Sequence, residues 1–139
     1  MGFIILKVFL KMKNNIAKQI TGIEKEITRI IGTNYELDFT EGTIYENLGN
    51  AESWSIGGEF TIENDYEYYY LLKAYNVPVH HVDYTNETEL DMLGATDCEG
   101  EKEVLVAAET KLTITCEPQD VDFEEMGYYV VEMEYEEEM

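Results

Sequence analysis

Six isoleucines, Ile16, Ile20, Ile23, Ile27, Ile30 and Ile31, recur at steps of three and four. On an α-helix this spacing lines one face with an apolar stripe, so a helix is expected from about Asn14 to Ile31. Lys18, Lys25 and Arg29 then occupy its polar face. Gly22 costs such a helix about 1 kcal/mol relative to alanine, and Gly32 with Asn34 supplies a stop.

Beyond Gly32 the period changes to two. Tyr35, Leu37 and Phe39 alternate with Glu36 and Asp38, the pattern of a strand with one wet face. Ser53–Glu63 reads as a second strand interrupted at Gly57-Gly58. Asp65–Asn76 suits a short helix through Tyr66, Tyr69, Tyr70 and Ala74, although its run of tyrosines and leucines also suits a buried strand. Val77–Tyr84 reads as extended, with Pro78 placing it at an edge or a strand start, and Asn86–Leu93 as a helical turn. Glu103–Ala108 and Lys111–Cys116 form the best hairpin candidate, joined around Glu109-Thr110. Glu117–Glu125 is expected to loop out, and Gly127–Tyr135 to return as a final strand before an acidic tail at 136–139. The expected fold is therefore α+β: an N-terminal amphipathic helix packed on a mostly antiparallel sheet of about five strands, in a single domain spanning 1–139. Residues 1–13 are set apart as a variable N-terminal extension, because Met12 stands where a second start would fall.

Nine Lys and Arg face 30 Asp and Glu, giving a formal net charge of −21. Solubility needs a magnitude of only about 2 to 8 in a small domain. An excess this large costs stability through self-repulsion and argues against nucleic acid or an anionic membrane as a direct partner. A basic protein is the expected partner. The charge is uneven, since residues 1–31 hold Lys7, Lys11, Lys13, Lys18, Lys25 and Arg29 against Glu24 and Glu26 alone. These lysines lie on the side opposite the acidic face, or pair two copies as a homodimer. The apolar opening Gly2–Leu10 is too short to span a bilayer, and Cys98 and Cys116 lack metal or redox spacing, which fits a reduced, cytoplasmic protein.

On an extended final segment Glu132, Glu134 and Glu136 share one face. Their separation of about 6.6–6.8 Å is comparable with that of successive phosphates along a nucleic-acid strand. Similar sets occur at Glu63/Asp65/Glu67, Glu87/Glu89/Asp91, Glu99/Glu101/Glu103 and Asp120/Asp122/Glu124 with Glu125. Tyr66 and Tyr68, interleaved with the first of these, are candidate interface anchors. The bland reading of each run is a solvated face. His80 and His81 with Asp83, joined by Cys98 or Cys116, make a poor metal set, because adjacent histidines on a strand point to opposite faces and only one of them can converge with Asp83 or a distant Cys. No nucleophile elbow, phosphate loop or calcium loop is present, so no cofactor, no metal and no catalytic residue is expected.

In size, in these carboxylate sets and in its acidic end Glu132–Glu138, the chain resembles the small acidic proteins of phages and mobile elements that inhibit DNA-binding defence enzymes, the anti-CRISPR and anti-restriction proteins. The resemblance implies a non-enzymatic inhibitor that occupies the basic channel of a CRISPR effector nuclease or other DNA-targeting defence nuclease, such as a restriction enzyme, and displaces DNA by mimicking phosphate charge. The expected contact set is Glu132, Glu134, Glu136, Asp120, Asp122, Glu124 and Glu125, with Glu63, Asp65, Tyr66, Glu67 and Tyr68 second. An immunity protein neutralising a basic nuclease toxin is the alternative.

Overall fold

The computed structural model describes residues 11, 13–46, 50–56, 65–82 and 102–136. Among the described residues near the start, only 11 and 13–17 are helical. From Gly22 the chain is a strand, β1 (Gly22–Thr33). Its sequence explains the change: isoleucine and threonine make up half of β1, and their stiff χ1 angles favour a pleated strand over a helix. The apolar stripe is not a face at all. Ile27 is fully buried, while Ile23 is 70% exposed and Ile20 48% exposed.

Six further strands follow: β2 (Ile44–Tyr45), β3 (Glu52–Ile56), β4 (Tyr68–His81), β5 (Lys102–Val106), β6 (Leu112–Cys116) and β7 (Tyr129–Tyr135). A short helix, α1 (Asp120–Met126), precedes β7. The expected α+β fold with a helix on five strands is thus corrected to a mostly β architecture, one seven-stranded sheet in the order β1-β3-β5-β4-β7-β6-β2. β1 also pairs with β4, so β1, β3, β5 and β4 close into a four-stranded barrel. All pairings are antiparallel except β4–β7.

β4 holds the two parts together. One edge follows β1 from Thr33↔Tyr68 to Gly22↔Val79. The other meets β7 from Tyr70 to Tyr75 and then β5 at His80 and His81. Pro78 is tolerated inside this strand because of that division. Val79 O accepts from Thr21 N, and Val82 N donates to Glu103 O, so Pro78, in alternation with Val82, turns its missing donor away from β1. It falls between the end of β7 and the start of β5. The β4 residues buried in the main core run Tyr70, Leu72, Ala74 and then Val77, Val79. The alternation reverses across Asn76, whose φ is 57°. The short helix expected at Asp65–Asn76 is accordingly strand from Tyr68 onward.

The two arms expected to form a hairpin, 103–108 and 111–116, do contain strands, but these do not pair with each other. β5 pairs with β3 and β4, and β6 with β2 and β7. The turn between them, where Glu109 has φ 69° and Thr110 N donates to Ala107 O, carries the chain from the barrel to the outer sheet. Tyr35–Phe39 is irregular rather than a strand, yet Phe39 is buried with its ring 5.2 Å from that of Tyr70. The expected loop at Glu117–Glu125 contains α1, closed by Gly127 in the left-handed region (φ 82°) with its amide donating to Phe123 O. The final strand agrees with expectation. The helical turn expected at Asn86–Leu93, and 57–64 of the second expected strand, lie outside the described residues, as do 1–10 and 137–139. The core joins both parts: Ile27, Trp54, Val79 and Val104 from the barrel, Leu112, Ile114, Val131 and Met133 from the outer strands, with Leu72 between. Among the described residues no helix is long and apolar enough to cross a membrane.

Candidate functional site

Of the carboxylates expected to contact a partner, those of β7 and the residue after it hydrogen-bond within the fold, and most of the others are exposed. On β7, Val131 and Met133 point into the core and Glu132 and Glu134 away from it. Glu132 accepts from the Tyr75 hydroxyl at 3.0 Å, Glu134 from Asn76 Nδ2 at 3.4 Å, and Glu136 from Thr113 Oγ1 at 3.2 Å. The Tyr75 phenol is pushed up to about 12, first by burial, then by its bond to Glu132 and the charges of Glu132 and Glu26. Asp120 and Asp122 sit in the first turn of α1, where negative charge complements the helix dipole. Glu124 and Glu125 are exposed on the same helix. Charges from both acidic sets, Glu132 and Asp122, act on Cys116, a half-buried free thiol. Burial, followed by the charges of Glu132, Glu41, Asp122 and Glu117, raises its pKa.

Asp65, Tyr66 and Glu67 form the exposed entry to β4 rather than a separate patch. The amides of Asp65 and Tyr66 donate to the Tyr69 hydroxyl at 2.9 and 3.2 Å, and Glu67 N donates to Asn34 Oδ1. Tyr68 packs against the main core. Glu63 lies outside the described residues. His80 and His81 do point apart, His80 towards Gln19 O at 2.8 Å and His81 between Thr21 Oγ1 and Glu24 Oε1, each at 2.6 Å. Asp83 lies outside the described residues. Among those described, no three His, Cys, Asp or Glu side chains gather as a metal site.

A different constellation stands where the barrel is least tightly laced. β1 and β3 meet at one Cα pair, Thr28↔Ser55, and Thr28 Oγ1 donates to Ser55 O at 3.4 Å. Across β3, Ser55 is paired with Glu103. One step along from that single pair, Arg29 of β1 comes opposite Trp54 of β3. These are the chain's only arginine and only tryptophan. Arg29 reaches over the opening and donates from Nη1 to Ser53 O at 2.6 Å. Its Nε lies 3.9 Å from Glu52 Oε2. Glu52 is 8% exposed and accepts from the Tyr45 hydroxyl at 2.7 Å. Burial, and then the Glu52 charge, hold the Tyr45 phenol far above its ordinary pKa, so it remains a donor.

Two buried donors in this cluster, Arg29 Nε and Trp54 Nε1, have no hydrogen-bond partner among the described residues. A buried N–H left unmatched costs about 1–3 kcal/mol, and such sites concentrate where a ligand completes the pairing. The guanidinium is planar, permanently charged and a third exposed at the side chain. With one nitrogen anchored, it can present others to phosphate oxygens. Composition signals this site only through two singletons: one arginine amid thirty acidic residues, and one tryptophan.

No family model and no curated protein matches the sequence. Among solved structures, the fold is similar to that of the type III effector XopAI from Xanthomonas axonopodis pv. citri, with a TM-score of 0.52 and 11% identity over 82% of this chain. The chain spans 42% of that effector's length. Looser matches are two crystal forms of C3larvin, an ADP-ribosyltransferase toxin from Paenibacillus larvae. Each has a TM-score of 0.47 and 15% identity, covering 92% and 94% of this chain and 68% and 74% of the toxin. The likeness to XopAI, which is one of fold, corrects the expectation drawn from charge of a phosphate-mimicking inhibitor that is not an enzyme. In the sheet Glu132 accepts from Tyr75, while Glu134 and Glu136, both exposed, accept from Asn76 and Thr113.

Proposed function

We propose that the chain is the catalytic core of an effector-type enzyme that transfers a glycosyl group from a phosphorylated nucleotide donor, and that NAD is that donor. The observation that carries the reading is the lone Arg29, anchored at Ser53 and beside Glu52 at the split between β1 and β3, with Ser55 and Glu103 aligned across the neighbouring strands. A guanidinium held at one nitrogen suits a diphosphate. A carboxylate on β5, across β3 from Arg29, suits the positive charge that develops on a ribosyl carbon as its bond to the leaving group breaks. In this scheme Arg29 binds the diphosphate and Glu103 stabilises the oxocarbenium-like transition state. The nicotinamide leaves with the electron pair of the glycosidic bond. The acceptor forms the new bond and gives up a proton. The effector role belongs to the same proposal and is supported by the fold shared with XopAI.

The test is incubation with NAD labelled in its adenylate half, following nicotinamide release and label on protein. Release is expected from the wild-type chain and about a hundredfold less from R29K and E103Q, the scale set by losing one group that stabilises transition-state charge. No binding or release at millimolar NAD, or undiminished release from both variants, overturns the reading.

A further inference from the structure

We propose that Glu52 and Tyr45 are positioning residues that set the guanidinium of Arg29, an inference that rests on the function proposed for the same site. A carboxylate as buried as Glu52 is costly unless its charge is matched and its oxygens are bonded. Glu52 has the Tyr45 hydroxyl at 2.7 Å and the Arg29 Nε at 3.9 Å. The second distance is an ion-pair contact but too long for a hydrogen bond, which is why Nε has no partner.

The guanidinium is therefore fixed at Nη1 by Ser53 O and retains freedom at its Nε edge. A shift of about 1 Å would bring Nε into a charge-assisted bond with Glu52. When a ligand's phosphate oxygens take the free terminal nitrogen, the guanidinium closes onto Glu52, and the orphan donor is satisfied in the bound state alone. The device depends on Glu52 staying put. Tyr45 does this from β2, the strand at the far end of the pairing order from β1. Its ring lies against Phe39 (6.3 Å between centroids), which in turn packs on Tyr70. The hydroxyl of Tyr45 thus ties the outer sheet to the mouth of the barrel at the one carboxylate that faces Arg29 Nε. Neither Tyr45 nor Glu52 need touch the donor.

Because the chain has one arginine and one tryptophan, Arg29 Nε–H and the Trp54 indole N–H each give a single, unambiguous nitrogen–proton NMR signal. In the wild-type chain, saturating NAD is expected to move the Arg29 Nε–H signal downfield and slow its exchange with water severalfold. Y45F is expected to raise KM for NAD about tenfold, more than it lowers kcat, as for loss of one supporting hydrogen bond. E52Q is expected to abolish the NAD-induced shift and lower kcat/KM about a hundredfold, with E52D recovering part of it.

Kinetics within twofold of wild type in both Y45F and E52Q, with an unchanged Arg29 Nε–H signal, overturn the positioning role. If the wild-type chain neither binds nor cleaves NAD, the proposed function fails, and the free proteins still decide the positioning. Faster Arg29 Nε–H exchange in Y45F and E52Q supports it, and identical exchange overturns it. Should E52Q not fold, Y45F, which keeps the ring and its packing, carries both arms.

Discussion

Replacing Arg29 by methionine keeps most of the aliphatic stem and removes the guanidinium. Two losses follow from the geometry. The bond from Nη1 to Ser53 O, at 2.6 Å, is charge-assisted, and such bonds contribute about 1.5–3 kcal/mol. Glu52 also loses the cation beside it while remaining 8% exposed. Breaking a fully buried pair costs about 3–5 kcal/mol, but here the ions stand 3.9 Å apart and the arginine side chain is 34% exposed, so solvent screening brings that contribution down to about 1 kcal/mol. Relief of the unmatched Nε offsets part of the total. The expected destabilisation is about 2–3 kcal/mol, measured by urea unfolding followed through Trp54 fluorescence. The double variant R29M/E52Q should be destabilised by about 1 kcal/mol less than the sum of the single variants, the coupling expected of neighbours in one network. A loss below about 0.5 kcal/mol in R29M, or strict additivity, would refute the claim that the Arg29–Glu52–Tyr45 cluster is one electrostatic unit.

Other perturbations test the fold around it. Leu72, fully buried where barrel and outer sheet meet, should cost about 2–5 kcal/mol when cut to alanine, read from the same urea midpoint. A Cβ at Gly32 would stand 2.5 Å from Tyr66 Cδ2 and 3.0 Å from Tyr69 Cε1, so G32A should cost about 1–3 kcal/mol by overpacking, visible as a lowered Tm. Burial and their carboxylate partners raise the phenol pKa values of Tyr45 and Tyr75, the latter to about 12. Their folded pKa values exceed the unfolded value of about 10, so this stabilisation is complete below pH 10 and is lost as pH rises from there through about 12. Unfolding free energies across that window should fall less steeply in Y75F than in the wild-type chain.

How much of this was legible depends on the range over which each signal acts. β7 was readable because Val131 and Met133 alternate with Glu132 and Glu134, and nothing in the structure disturbs that period. β5 and β6 were readable as strands, but their partners lie outside the hairpin pattern, in segments tens of residues away. The isoleucine spacing of 16–31 misled because it satisfies a helical period by coincidence. Only the pairing with β4 decides the matter, and it buries Ile27 while leaving Ile23 in solvent. β4 itself was obscured by the reversal at Asn76, which breaks the two-residue period. The candidate site was hidden for the same reason as the pairings: no local pattern ties residue 29 to residues 45 and 52–54. The acid excess drew attention to the outer surface and away from the single arginine.

Closure of the ring also governs how the chain can reach its native state. β1 pairs with β4 about forty-five residues away, and the barrel shuts only when β5, some twenty residues later still, bridges β3 and β4. Contacts of such wide sequence separation slow folding, because loop-closure entropy is lost before the contacts form. During synthesis β1, β3 and β4 must therefore wait on the ribosome with open edges until residues 102–106 emerge. In that interval the exposed Ile20 and Ile23 flank an unfinished barrel.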